Sequence, residues 1–121
     1  MTWFAWFVLD LPRPPSVNRF NSKRGNASPV VLNWMVQADK HVLLQKPYPH
    51  FKCAVELDVT WARPLKRAHR RLDIDNAVKP LLDYLQRIKL ISNDAHCEEM
   101  HVSWGVAPRG CRVAIRPWVA A

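Results

Sequence analysis

Residues 51–61, Phe-Lys-Cys-Ala-Val-Glu-Leu-Asp-Val-Thr-Trp, carry apolar side chains at every second position. Successive side chains of a β-strand point to opposite faces, so a period of two is typical of a strand that is buried on one side. The alternation predicts that the apolar set, which ends at Trp61, lines a core. It predicts that Glu56, Asp58 and Thr60 lie on the more polar face.

The flanking segments predict two helices and three further strands. Ser28-Pro29 is typical of a helix start, and apolar residues recur at helical spacing from there until Pro47. A second helix of about 14 residues is predicted from near Asp75. The other predicted strands lie at 3–9, 97–106 and 112–116. The order β-α-β-α-β-β indicates an α+β fold, with residues 1–121 forming one small domain in which helices pack on a mixed sheet.

The charge of the chain favours a polyanionic partner, either nucleic acid or an anionic membrane surface. Eighteen Lys and Arg against ten Asp and Glu give a net charge of +8. Two clusters, within 12–24 and 63–71, contain no acid, which an ordinary solvated surface explains poorly. The residues predicted to contact DNA are Arg13, Asn18, Arg19, Lys23, Arg24, Lys66, Arg67, Arg70, Arg71 and Asn76.

Cysteine usage and the N-terminus indicate a cytoplasmic protein without a membrane partner. Three scattered cysteines, Cys53, Cys97 and Cys111, are too few for a disulfide framework. The apolar run from Met1 to Leu11 is short, contains Asp10 and lacks a basic start, so it is neither a signal peptide nor a membrane span.

The residues that indicate chemistry follow the second basic cluster, in Arg70-Arg71-Leu72-Asp73-Ile74-Asp75-Asn76-Ala77-Val78-Lys79. A surface that binds a polyanion has an electrostatic reason to avoid acids, so acids placed there suggest a divalent cation that takes oxygen ligands. Asp73, Asp75 and a third acid, Asp94, could hold Mg²⁺, and Lys79 could stabilise charge on a phosphorus centre. This pattern predicts a metal-dependent nuclease.

The third acid reaches the others only under one condition. A helix of about 14 residues is about 20 Å long, so Asp94 cannot approach Asp75 along the helix axis. The approach requires that the strand at 97–106 lies beside the strand that leads to Asp73. Without that arrangement, Asp-x-Asp is an ordinary helix cap, and Asp75, Lys79 and Asp83 form a surface ladder of ion pairs.

Two other readings of the side chains are weaker. His96, Cys97, His101 and Cys111 could form a zinc site, but their spacing does not support one. The six tryptophans could stack on unpaired bases, but Trp34, Trp61 and Trp104 occupy periodic apolar positions that favour the core.

Three blocks of the chain resemble the RusA family of Holliday-junction resolvases, found in bacteria and their phages. Pro14-Pro15-Ser16-Val17-Asn18-Arg19 resembles the family's N-terminal loop. Arg71 to Lys79 resembles its Arg-x-Asp-x-Asp-Asn-x-x-Lys core, and Asn93-Asp94-Ala95 resembles its later Asp-Asp-Ala turn. The chain departs from the family pattern at Asn93, where a second acid is frequent, and at Ile88 to Ile91, which lacks the glycine often present there.

The resemblance implies a homodimeric endonuclease that depends on Mg²⁺, with Mn²⁺ as a substitute and no small-molecule cofactor, and that cuts four-way DNA junctions. Asp73, Asp75 and Asp94 would be the catalytic metal-binding acids, and Lys79 a catalytic lysine. A two-fold symmetric dimer suits a junction cut on two opposed strands. The aromatic N-terminal strand, with Trp3, Phe4, Trp6 and Phe7, is expected to lie partly in the dimer interface.

Two alternatives remain beside a resolvase that makes paired symmetric nicks. One is a non-catalytic basic module that binds nucleic acid in a salt-dependent, metal-independent way. The other is a metal-dependent nuclease of different branched or linear DNA, or of RNA, which would share the same site.

Overall fold

A computed structural model describes residues 5–16, 29–63 and 74–120, and the remaining residues lie outside this description. The described elements are strand β1 (Phe7–Leu11), helix α1 (Pro29–Leu44), strand β2 (Val55–Ala62), helix α2 (Val78–Arg87), a single 3₁₀ turn (Asp94–His96), strand β3 (Cys97–Gly105) and strand β4 (Cys111–Pro117). This order confirms the predicted α+β class.

The four strands form one mixed sheet in the order β1-β4-β2-β3. β2 runs parallel to β3 and antiparallel to β4, and β4 is antiparallel to β1. The parallel pair, in which Val59 lies beside Val102, is the arrangement that the sequence required for the third acid to approach the others. Helix α2 lies in the connection between these two strands, as parallel strands require.

The core lies on one face of this sheet. Val55, Leu57, Val59 and Trp61 of β2 are fully buried, which confirms the predicted alternation. The helices contribute apolar side chains to the same cluster, and those that are buried are Trp34, Ala38, Val42, Leu81, Tyr84 and Leu85. An interface built from one sheet face and one stripe per helix is the usual way in which a two-layer fold buries apolar area.

Polar groups join the layers at defined points. The Gln45 side chain, just after α1, donates to the backbone carbonyl of Asp10 (2.7 Å) and accepts from its N–H (2.8 Å), which ties α1 to β1. The Tyr84 hydroxyl of α2 donates to Asp39 of α1 at 2.7 Å. Burial and this carboxylate raise the pKa of Tyr84, so the phenol stays neutral and keeps donating.

The element boundaries correct four expectations. β1 spans Phe7–Leu11, so it runs past the predicted end at Leu9, because Leu9 and Leu11 supply its buried positions, and the predicted residues 3 and 4 lie outside the described residues. β2 begins at Val55, and Phe51 forms only an isolated bridge with Ile91. Helix α2 has 10 residues and begins at Val78, after a turn. β3 ends at Gly105, so Val106 is exposed rather than part of the strand.

Candidate active site

A buried tryptophan holds the acidic segment at the end of β2. Trp61 is fully buried, and its indole N–H donates to the backbone carbonyl of Ile74 at 2.7 Å. Ile74 is followed directly by Asp75, so this hydrogen bond anchors the main chain next to the acid. A satisfied indole N–H is what a buried tryptophan requires.

The turn at 74–77 leads the acid into α2. The Val78 N–H donates to the Asp75 carbonyl at 3.1 Å, and Ala77, immediately before the helix, is buried. Burial of Ala77 and the Trp61 contact fix both ends of the turn, while Asp75 itself is exposed to solvent. Asp75 therefore stands at the N-terminal end of α2, where the helix dipole favours a negative charge.

Asp94 is presented by a compact polar turn before β3. The Asn93 carboxamide oxygen accepts from the Ala95 N–H at 2.9 Å, and the Asn93 carbonyl accepts from the His96 N–H at 3.0 Å. Asn93, which stands where the resembled family often has a second acid, thus acts as the cap of the 3₁₀ turn. This role accounts for an amide at this position, because an Asn side chain caps such turns well.

Lys79 joins the two parts of the site. Its ammonium lies 2.9 Å from Asp83 Oδ1, one turn along α2, and 3.4 Å from Asp94 Oδ2, across the connection to β3. The contact between Lys79 and Asp94 shows that the chain folds back as the sequence required. One part of the surface ladder, the pair between Lys79 and Asp83, is also present.

Among the described residues of this region, acids outnumber cations. Hydrogen bonding to Asp83, the pair's Coulomb attraction and the Asp94 contact raise the pKa of Lys79, so it is a cation at neutral pH. One ammonium therefore faces two carboxylates, and Asp75 adds a third charge four residues earlier in the chain. Carboxylate oxygens are the ligands that a hard divalent cation prefers, and among the described residues Asp75, Asp83 and Asp94 do not bring three ligand atoms within 4.8 Å of one another.

Of the predicted site residues, the structure brings Lys79 and Asp94 together and places Asp75 at the start of the same helix. Asn76 lies in the turn beside Asp75, partly buried. Asp73 and the remaining predicted DNA-contacting residues, Arg13 excepted, lie outside the described residues. Asp83, which also contacts Lys79, was considered in the sequence only as a member of the surface ladder of ion pairs.

Arg13 occupies a different environment from the one that its charge alone suggested. Its guanidinium lies over the ring of Trp104, 4.8 Å from the centroid, and 5.6 Å from that of Trp61. Burial lowers the pKa of this guanidinium, although it remains charged. The contacts connect the segment after β1 to the tryptophan that anchors Ile74, which makes Arg13 part of the support of the site.

A second cluster of possible metal ligands was missed at the sequence level. Ligand atoms of Glu56, Glu99 and His101 lie within 4.8 Å of one another on the sheet face opposite the core. Arg116 already pairs with Glu56 at 2.9 Å, and His101 Nε2 lies 2.7 Å from Glu99. The period-two alternation of the two strands already indicates that their polar residues share one face. The sequence does not give the register between the strands, so it could not bring these three residues together.

The weak zinc set does not form one site. Cys111 is buried on the core side of β4, and burial raises the pKa of its thiol. His101 pairs with acids on the opposite face of the sheet, and His96 hydrogen-bonds with Ser92 at 3.1 Å. Side chains on opposite faces of a sheet cannot converge on one ion. Trp34 and Trp61 are buried as predicted, and Trp104 is partly buried.

Comparison with known families identifies the arrangement. The family model described as Endodeoxyribonuclease RusA matches residues 12–116. The chain belongs to this family. The match spans the connection between β2 and β3 and includes Asp75, Lys79 and Asp94. Membership in the RusA family implies a Holliday-junction-resolving endonuclease.

A comparison with curated proteins finds no match for the chain. Within the part of the chain that the structure describes, no helix is both long and apolar enough to cross a membrane.

Proposed function

We propose that the protein is a Mg²⁺-dependent, homodimeric endodeoxyribonuclease that resolves four-way junctions by paired, symmetric nicks. The observation that supports it best is the contact of Lys79 with Asp94, which links the helix that starts at Asp75 to the turn before β3. Lys79 on α2 meets Asp83 of the same helix and Asp94 of the turn before β3 there, and a helix cap would not require the contact with that turn.

Asp75 and Asp94, together with Asp73, are the proposed ligands of the metal. Their oxygens match the preference of Mg²⁺, which also keeps several waters and leaves positions for a substrate phosphate. When bound, the ion would supply Lewis-acid stabilisation of the phosphate and a more acidic water. Mn²⁺ prefers the same oxygen ligands, so we propose that it substitutes.

Lys79 is proposed to act as a fixed positive charge rather than as a base. Its raised pKa keeps it protonated at neutral pH, so it cannot accept a proton from water there. With its ammonium held by Asp83 and Asp94, it is placed to neutralise charge that develops on the phosphate oxygens. The Asp83 pair would then set the position of the ammonium.

The basic residues would hold the junction by its backbone. The proposed contacts are Arg13, Asn18, Arg19, Lys23, Arg24, Lys66, Arg67, Arg70, Arg71 and Asn76. Lys and Arg contacts to phosphates carry no sequence information, so preference for junctions would come from shape and from a symmetric footprint. Arg13 would contribute mainly by supporting the loop, because two tryptophan rings cover its guanidinium.

The proposed dimer would present two equivalent sites to the two opposed strands. Among the described residues, Trp6 is more than a third exposed, and Arg116 lies 4.1 Å from its ring centroid. Phe7 instead packs against the core, so among the described residues of this segment the exposed Trp6 and Val8 are available to an interface. Sedimentation as a monomer at micromolar concentration would contradict the dimer.

The deciding experiment compares wild type, Asp75→Asn and the control Asp58→Asn, which removes a charge from the opposite sheet face. Each is incubated with a labelled four-way junction and a linear duplex of the same sequence, in Mg²⁺ and in EDTA. We expect paired nicks on the junction alone, lost in EDTA and in Asp75→Asn but kept in Asp58→Asn. Junction affinity of Asp75→Asn should be unchanged or tighter, because a negative charge facing DNA is removed.

The other outcomes point elsewhere. Binding without cleavage under every condition would favour the non-catalytic module, for which the ion pair of Lys79 with Asp83 is a purely structural ladder. Equal cleavage of both substrates would favour a general nuclease. Loss of binding by a well-folded Asp75→Asn variant would contradict the role given to this acid.

A further inference from the structure

A cleft lies beside the turn that carries Asp94. Its volume is about 530 Å³, and the chain segments that line it lie at the C-terminal end of α2 and before β2. Clefts of about 300–1,000 Å³ are the usual size of ligand sites. Phe51 and Ile91 give it an apolar floor, and their backbones are joined by a strand-like bridge. The floor is therefore fixed by main-chain hydrogen bonds.

The rim of the cleft carries positive charge. Lys52 and Lys89 line it together with His50, and none of its lining residues is acidic. The His50 ring donates through Nδ1 to the Lys89 carbonyl at 2.7 Å, which leaves Nε2 available. An apolar floor below two lysines, with no acid among the lining residues, fits a ligand that has an apolar body and an anionic group. A nucleotide of a DNA strand has this composition.

Lys89 occupies a backbone conformation that a lysine adopts at a cost. Its φ is 61°, in the left-handed region that favours glycine. The N–H of Lys89 donates to the Gln86 carbonyl and that of Leu90 to the Leu85 carbonyl, both at 3.0 Å. This is the hydrogen-bond pattern of a Schellman motif, in which the residue at the position of Lys89 is usually glycine.

The helix dipole does not account for this lysine. A cation near the C-terminus of a helix is favourable, but Arg87 already stands in the last turn of α2 in ordinary helical conformation. A lysine kept at a position where glycine is less strained indicates that its ammonium has a use, as strained residues do at functional sites.

The cleft adjoins, along the chain, the turn that carries Asp94. Ser92 lines the cleft, its N–H donates to the Phe51 carbonyl at 3.2 Å, and Asp94 follows two residues later. A strand that places a phosphate at Asp94 could therefore continue over the cleft.

We infer that the cleft seats a nucleotide of the DNA strand next to the scissile phosphate. Lys52 and Lys89 would bind its phosphate, and the partly exposed Phe51, which rests on the buried Ile91, would contact its sugar or base. This inference rests on the proposed function and deepens it, since it assigns part of the substrate's path to residues outside the basic loops.

The test uses Lys89→Gly, which removes the ammonium and places the preferred residue at the left-handed position. Lys52→Gln removes the second cation. Lys40→Gln is the matched control, because it lowers the net charge equally at an exposed position on α1. Junction affinity is measured by fluorescence anisotropy in EDTA, over a series of KCl concentrations.

We expect Lys89→Gly and Lys52→Gln each to weaken binding by about 10-fold. The slope of log affinity against log salt should become shallower by about 0.9 for each, as for one lost phosphate contact. Lys40→Gln should change neither. The unfolding midpoint of Lys89→Gly should equal or exceed that of wild type. If that midpoint is lower, the junction affinity of Lys52→Gln alone tests the inference.

Binding by both cleft variants that equals that of Lys40→Gln would overturn the inference. The inference would also be overturned if a free mononucleotide bound in the cleft while both cleft variants kept the junction affinity of wild type. The two proposals fail separately. If the wild type binds the junction in EDTA but never cleaves it in Mg²⁺, the proposed nuclease activity is contradicted. The affinities of the cleft variants, measured in EDTA, would still test the cleft. Normal cleavage and binding by both cleft variants would contradict the cleft alone.

Discussion

Two of the regions in the described structure where carboxylates meet cations differ in the ratio of acids to cations. On the sheet face opposite the core, Arg112 holds Asp10 through two hydrogen bonds, at 2.8 and 3.2 Å, and Arg116 holds Glu56 at 2.9 Å. At the candidate active site, the single ammonium of Lys79 faces both Asp83 and Asp94.

The difference separates structural acids from acids that await a partner. Asp10 and Glu56 each have an arginine partner, and planar guanidinium groups suit a lasting pair, while Glu99 is paired with His101 beside them. Two carboxylates on one lysine, with Asp75 close in sequence, leave negative charge that a metal ion would balance. The comparison predicts that the two regions respond in opposite ways to the same kind of substitution.

The largest contrast is expected between Asp94→Asn and Glu56→Gln. Asp94→Asn should lower the cleavage rate in Mg²⁺ by about 1,000-fold, because in the proposed mechanism it removes a ligand of an ion that would stabilise the transition state by several kcal/mol. Glu56→Gln should leave the rate within about twofold. Single-turnover kinetics on a four-way junction measure both, and equal losses in the two variants would remove the distinction between the regions.

The next effect concerns the cation of the site. Lys79→Ala should reduce the cleavage rate by about 100-fold, as for loss of one preorganised charge at a reacting centre, with little change in affinity. Rates and dissociation constants on the same junction separate the two quantities. If only the affinity changes, Lys79 is a phosphate clamp instead. Lys40→Ala, on an exposed part of α1, is the control.

A smaller effect is expected on the free energy of unfolding, and here the arginine pair should matter more than the lysine of the candidate site. Arg116→Ala should destabilise the fold by about 1 kcal/mol, since Glu56 is mostly buried and loses its partner. Lys79→Ala should change stability by less than about 0.5 kcal/mol, because its pairs are exposed. Urea unfolding in EDTA measures both, and a larger loss for Lys79→Ala would make that lysine a structural residue.

The smallest effect is the titration of His101. Its hydrogen bond to Glu99 raises the pKa of the imidazole above the ordinary value of about 6.5. The resulting stabilisation is fully present below pH about 6.5 and is lost as the pH rises through the raised pKa. NMR titration should show the raised midpoint, and Glu99→Gln should lower it. An unshifted midpoint in wild type would mean that the pair does not persist in solution.

Local patterns predicted much of this fold, and the limits of the prediction have physical causes. The alternation in Val55 to Trp61 and the Ser28-Pro29 helix start depend on neighbours in sequence, so the elements were found. The end positions of β1 and the length of α2 depend on tertiary contacts such as the hydrogen bond from Trp61 to Ile74, which no local pattern contains.

The site was predicted in composition but not in its contacts. Asp75, Lys79 and Asp94 were singled out from residue types and from a family resemblance, and the parallel pairing of β2 with β3 supplied the condition that sequence alone left open. The position of Arg13 between two aromatic rings and the cleft at Lys89 were not predicted, because both require strands and loops distant in sequence to be placed side by side.

The connection from Asp75 to Asp94 has a consequence for how the gene can vary in length. Helix α2 lies between the two acids, its start is anchored by Trp61 and its end by the bridge from Phe51 to Ile91. One residue added within α2, after Lys79, would rotate the rest of the helix by about 100° and shift it by about 1.5 Å. That change would carry Asp94 away from Lys79. Insertions and deletions within α2 should therefore be rejected.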